Sequence, residues 1–123
     1  MIDCKVGDLV LVPFPFTNLK TTKKRPALVL SIVPSQILPT LVIVAMITSQ
    51  LEGERITGDY DLRSWKEAGL LHPSKLRLAK LVSLEEGLIQ KKLGVLSKED
   101  RKNVAKHIQK IFKSWLTVFN EEL

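Results

Sequence analysis

Three apolar stretches, the third rich in β-branched residues, crowd into the first 48 positions, and together they commit the chain to a β-sheet. From Gly7 to Phe16 the sequence reads GDLVLVPFPF, with Leu9, Leu11 and Pro13 alternating against Val10, Val12 and Phe14. Both alternating sets are apolar, the pattern of a strand covered on both faces. RPALVLS (Arg25 to Ser31) and TLVIVAMIT (Thr40 to Thr48) repeat it and are expected in the middle of the sheet. Pro13 and Pro15 are expected to end or bulge the first strand, since proline cannot donate to a ladder. Pro26 to Leu30 and Leu41 to Ile47 are the longest apolar stretches and fall far short of the roughly 20 residues a membrane helix needs. A soluble protein with no membrane partner is expected.

The remaining chain supplies a loop, further strands and helices. Thr17 to Lys24 (TNLKTTKK) is polar, basic and without apolar periodicity, which predicts an exposed loop. Leu62, Trp65 and Ala68 recur every three residues between Asp61, a candidate cap, and Gly69, a candidate stop, which predicts a short inserted helix. Ser74 to Leu84 alternates imperfectly and is expected to be a fourth strand, with a shorter fifth around Leu88 to Leu93. Ser97 with Asp100 resembles a capping box. Beyond it Val104, Ile108, Ile111, Phe112, Trp115, Leu116 and Phe119 form an apolar stripe opposite Lys102, Lys106, Lys110 and Lys113. That spacing predicts one terminal amphipathic helix, with Trp115 and Phe119 packed on the sheet. No repeat or linker divides the chain, so residues 1–123 are read as a single domain. The fold class is mainly β with α: four or five twisted strands hide their edges most cheaply by partial closure into a small SH3-like barrel with appended helices.

Charge and the scarcity of reactive side chains narrow the function. The formal net charge is +6, which favours a polyanionic partner because phosphate contacts release counterions. The single cysteine, Cys4, forms no intramolecular disulfide, which suits a reducing cytoplasm, and no export signal is visible. There is no Cys or His cluster at metal-ligand spacing, so no metal is expected, and no phosphate-binding or dinucleotide glycine motif, so no cofactor. His72 and His107 stand apart and read as surface or packing residues. The serines lack a nucleophile-elbow context. What remains is a polar margin at strand ends: Thr17, Asn18, Lys20, Lys23, Lys24 and Arg25, and after the third strand Thr48, Ser49 and Gln50. A rigid sheet positions such side chains while leaving them exposed, which suits a binding site. The residues alone leave open whether Thr48 to Gln50 simply begins a turn and Arg25 is merely solvated.

GDLVLVPFPFTNLKTTKKRPALVLS at 7–31, AMITSQ at 45–50, WKEAGLLHPSKLRLAKL at 65–81 and KKLGVLSKED at 91–100 together resemble the PemK/MazF family of toxin-antitoxin proteins. The match runs in order over nearly the whole chain, and its specific part is the first block. The resemblance implies the SH3-like barrel of the CcdB and PemK toxins, used as a homodimer. It implies sequence-selective, metal-independent cleavage of single-stranded RNA, restrained by a cognate antitoxin whose disordered tail covers the RNA groove. The family's catalytic arginine and threonine match Arg25 in the R-P step and Thr48 in the T-S step. Phe16, Thr17, Asn18, Lys20, Lys23, Lys24, Ser49, Gln50 and Lys80 are carried over as RNA-binding residues, with Phe16 equally suited to stacking a base or filling the core. Asn18 and Ala79 stand where many relatives carry acidic residues, which bears on the preferred RNA sequence. Two alternatives share the fold: a non-hydrolytic toxin that binds a protein such as DNA gyrase, and a decayed member that binds RNA or antitoxin without cutting. Retention of both Arg25 and Thr48 argues against the first.

Overall fold

The computed structural model describes residues 3–15 and 22–122. Six strands, β1 (Asp8–Pro15), β2 (Thr22–Val33), β3 (Leu41–Thr48), β4 (Asp59–Asp61), β5 (Lys75–Glu85) and β6 (Lys91–Val95), pair antiparallel in the order β4-β5-β3-β2-β1-β6. β2 and β3 are central, as their composition predicts. The apolar residues on both faces of the first strands are explained by two cores. Leu9, Leu28, Ala45, Ile47 and Leu76 pack on one face with Val104. Val10, Val12, Ala27, Val29, Val42 and Val44 pack on the other with Cys4, Leu84 and Ile89. Burying each such side chain contributes about 1.5–3 kcal/mol before chain entropy is subtracted. The mainly β class with appended helices is the expected one, but hydrogen bonding does not close the barrel: among the described residues β4 and β6 are the sheet's two edges. Both edges are short, and short edge strands offer little template for unwanted pairing.

Pro13 does not end β1, and Pro15 is its last residue. Pro13 pairs with Lys24 and Pro15 with Thr22, whereas pairing to β6 runs only as far as Leu11. Beyond Leu11 the strand has one neighbour, and an edge tolerates a residue without an N–H. The hairpin therefore draws Lys23 and Lys24, expected in a loop, into β2.

The inserted helix predicted over 61–69 is a series of turns instead. Asp61 does not cap it, because Asp61 belongs to β4 and pairs with Lys75. The cap comes from far along the chain. Asp100, with no exposed surface, accepts the backbone N–H groups of Arg63 (3.0 Å) and Ser64 (2.9 Å) and the Tyr60 hydroxyl. Gly69 ends the segment as predicted, at φ +95°.

Helix α1 (Lys98–Ile111) starts where the sequence predicts, with Ser97 Oγ accepting the Asp100 N–H at 3.1 Å. The reciprocal half of the capping box is absent, because the Asp100 carboxylate is turned to Tyr60, Arg63 and Ser64. The terminal helix is also two helices: α1 stops at Phe112, which leaves helical geometry at φ −98°, ψ 13°, and α2 (Lys113–Glu122) follows. Across this break the apolar stripe no longer faces the sheet. Val104 is buried, but Trp115 is 73% exposed, so its expected packing does not occur. The Phe119 side chain lies outside what the structure describes.

The 63–70 turns lie against β6 at a contact that admits no side chain. A Cβ at Gly94 would stand 2.2 Å from the Ala68 carbonyl oxygen, and one at Gly69 would stand 2.1 Å from the Leu93 oxygen. Backbone on both sides leaves nothing flexible to yield. Gly94→Ala is expected to lower stability by about 1–3 kcal/mol, measured by urea denaturation. An unchanged midpoint would show that the turns are not held against β6.

Candidate active site

The R-P step shapes the site through a missing hydrogen bond. β2 and β3 pair as Ala27 with Met46, Leu28 with Ala45 and Val29 with Val44. The ladder begins at Ala27, next to Pro26, which has no N–H to contribute. Carried on by two residues, the same register sets Arg25 opposite Thr48, just beyond the last ladder pair. On the far side of β3, Thr48 pairs with Lys75, and on the far side of β2, Arg25 pairs with Val12. Directly opposed residues share a face, so Arg25, Thr48 and Lys75 form one row across three strands.

Arg25 is half-buried and Thr48 is buried. Thr48 Oγ1 accepts the Gln50 N–H at 3.1 Å. That contact uses an oxygen lone pair and leaves the hydroxyl proton to be donated.

At this sheet end a cleft of about 350 Å³ is lined by Arg25, Pro26, Ile47, Ser49, His72 and Ser74, with Leu70 and Leu93 among its apolar walls. Ser74 is oriented by donating to the His72 carbonyl at 2.8 Å. Ser49, Gln50 and His72 also line an adjoining, more open groove. Thr48 is not among the residues lining the cleft; the register, not the cleft, relates it to Arg25.

A charged cluster lies next along the same face. Arg77 Nε and Nη2 donate to the two oxygens of Asp59, each at 3.1 Å, and the Ile56 N–H donates to Oδ2 at 3.1 Å. Lys75 Nζ lies 3.5 Å from Oδ2. Burial by itself would raise the Asp59 pKa. The Arg77 hydrogen bonds, the Ile56 N–H and the charges of Arg77 and Lys75 outweigh it and hold the carboxyl below its ordinary range. Asp100 is likewise lowered: burial opposes ionisation, but hydrogen bonds from Tyr60, Ser64, Arg63 and Ser97 prevail. The Tyr60 hydroxyl is pushed up to about 12 by burial and by Asp100.

The predicted site residues divide accordingly. Arg25 and Thr48 are brought into register, Ser49 lines the cleft, and exposed Gln50, Lys23 and Lys24 stand next to them along β2 and β3. Phe16, Thr17, Asn18 and Lys20 lie outside the described residues. Lys80 is exposed and lies in the irregular stretch of β5 between Arg77, opposite Met46, and Leu81, opposite Ala45, so it is not in the row. His72, read from the sequence as a surface or packing residue, borders the cleft. Lys75, in the imperfectly alternating stretch expected to be the fourth strand, is buried. No sequence signal marked either.

Such an arrangement defines a class: a small, basic, antiparallel β protein with an arginine and a hydroxyl set opposite each other on neighbouring strands, a natural seat for a phosphate. The comparisons make the class specific. The family model for the PemK-like, MazF-like toxin of type II toxin-antitoxin systems matches residues 5–112, and the chain belongs to that family. Among solved structures it is similar in fold to the Mycobacterium tuberculosis toxin MazF-mt6, with a TM-score of 0.63 and 19% identity, covering 86% of this chain and 96% of that one. No curated protein matches it by sequence. Among the described residues, no helix is long and apolar enough to cross a membrane.

The two lowered carboxylates set an acid limit. The folded protein binds fewer protons at Asp59 and Asp100 than the unfolded chain does, so stability falls as pH falls. Their contribution is complete above about pH 4, where unfolded aspartates ionise, and is lost as the pH drops through the lower folded values. Urea midpoints measured from neutral to strongly acidic pH are expected to be level and then to decline below that point. Asp100→Asn is expected to cost about 2–4 kcal/mol at neutral pH and to make the acid decline shallower. A decline as steep as the parent's would exclude Asp100 from the acid response.

Proposed function

We propose that this chain is a cytoplasmic toxin that cuts single-stranded RNA at selected sequences without a metal, acting as a homodimer and restrained by an antitoxin whose disordered tail covers the RNA groove. Family membership supports the toxin. What supports the chemistry is the register of β2 on β3, which, carried two residues past Ala27 and Met46, sets Arg25 opposite Thr48.

The attacking group is the ribose 2′-hydroxyl, which accounts for a preference for RNA over DNA. Its oxygen bonds to phosphorus as the bond from phosphorus to the 5′-oxygen breaks. The hydroxyl proton leaves, and a proton is delivered to the departing oxygen. The products are a 2′,3′-cyclic phosphate and a 5′-hydroxyl end. Arg25 clamps two non-bridging oxygens with its fork and neutralises the growing charge. A guanidinium is a poor base at neutral pH, so its proton chemistry is confined to donation toward the leaving oxygen. Thr48 donates its remaining hydroxyl proton to the phosphorane, a contribution on the order of a few kcal/mol. Lys23 and Lys24 hold flanking phosphates, and Ser49 and Gln50 face the bases.

Incubation of the parent with long unstructured RNAs in excess EDTA is expected to give discrete cuts ending in cyclic phosphate. Arg25→Ala should abolish them, and Thr48→Val should slow them about 100-fold. If folded, antitoxin-free parent leaves diverse RNAs intact, the enzyme reading fails and gyrase inhibition becomes the next assay.

A further inference from the structure

Among the described residues Lys75 is the largest fully buried side chain, 1% exposed, and its Nζ has no hydrogen-bond partner. Asp59 does not supply one. Both its oxygens are taken by the Arg77 fork, and Oδ2 also accepts the Ile56 N–H. Lys75 Nζ stands 3.5 Å away without hydrogen-bonding geometry. The cluster therefore joins two cations to one carboxylate and keeps an excess positive charge. A buried charge without hydrogen bonds costs several kcal/mol, and methionine fills the same volume with no such penalty. What the fold gains from the amine is one ion pair with Asp59, a carboxylate that Arg77 and the Ile56 N–H already hold ionised.

Its position is informative. Lys75 pairs with Thr48, which places their Cα atoms about 4.5–5.5 Å apart with side chains on one face. Arg25 is the next residue in the row. The unspent charge thus lies one strand away from the hydroxyl assigned to the phosphorane, where low surrounding polarizability strengthens its field.

We infer that Lys75 is a third cation of the phosphate site: a buried, pre-placed charge whose counter-ion is the phosphate seated at Arg25 and Thr48. The inference rests on the RNA-cleaving reading for its kinetic consequence but not for anion binding. Lys75 acts through its field, as an electrostatic residue positioned beside Thr48, and does not have to touch the reacting atoms.

The test compares the parent with Lys75→Met, the linear uncharged substitute, by three readouts. Single-turnover cleavage of the RNA by Lys75→Met is expected to fall about 10- to 100-fold. Its melting temperature is expected to equal or exceed the parent's, because Asp59 keeps Arg77 and the Ile56 N–H. The parent's Lys75 ¹⁵Nζ resonance, assigned by its absence from Lys75→Met, is expected to shift when mixed-sequence single-stranded DNA is added, since DNA presents phosphates without a 2′-hydroxyl to react. Unchanged cleavage by Lys75→Met, with the parent active, would overturn the inference and leave the enzyme reading intact. A variant that melts several degrees lower would make Lys75 a structural cation and overturn it too, as would an unmoved ¹⁵Nζ signal. A shifted signal in a parent that cuts no RNA would uphold the phosphate site while the enzyme reading falls.

Discussion

The buried carboxylate of Asp100 holds the parts of this molecule that the sheet alone does not. Standing in the first turn of α1, it accepts from the Tyr60 hydroxyl beside β5 and from the Arg63 and Ser64 backbone of the turns that follow. Helix, edge strand and turns thereby meet at one side chain. The turns it fixes run on through Leu70 and His72, which wall the cleft. A buried carboxylate with three donors is strongly favoured in its ionised form, and removing it would strand several donors at once. The cleft wall is as firm as this contact and the bare-backbone contact of Gly69 and Gly94 make it.

The opposite wall depends on something withheld. A strand between two neighbours normally pairs along its whole length, and β2 would close on β3 through Arg25 and Thr48 if position 26 carried an N–H. Proline stops the ladder at Ala27. Meanwhile β1 braces β2 from the other side, from Leu9 with Leu28 to Pro15 with Thr22. A rigid hairpin thus presents Arg25, paired to Val12 in β1, opposite Thr48, paired to Lys75 in β5. Proline after arginine sets where the β2–β3 ladder stops.

The strands, the central place of β2 and β3, the Ser97 cap and the Gly69 stop were legible because each depends on neighbours in the sequence. The misread features depend on distant ones. Asp61 looked like a cap until a three-residue strand claimed it for pairing with Lys75, and the true cap for that segment lies nearly forty residues later. Pro13 looked like a terminator because sequence does not say how far β6 extends along β1. Trp115 continued an unbroken stripe, and only the bend at Phe112 takes it off the sheet. In the candidate site, Arg25 and Thr48 were expected from family resemblance, whereas the places of His72 and Lys75 follow from the turns and the register, which the resemblance does not encode.

Charge illustrates the same division. The net charge of +6 is spread largely over solvated lysines, including Lys102, Lys106, Lys110 and Lys113 on the outer side of the helices. At physiological salt such charges are screened within about 8 Å, so they raise the local concentration of a polyanion without selecting where it reacts. Selection requires charge that water cannot screen. Asp59, lying on the same face as Arg25 and Thr48, would weaken any anion site nearby, and the Arg77 fork cancels it through paired hydrogen bonds. Lys75 is then left over, fully enclosed and beside Thr48. A composition can announce that a protein favours phosphate; only the register of three strands says which phosphate position is favoured, and why the favouring charge is one that solvent does not reach.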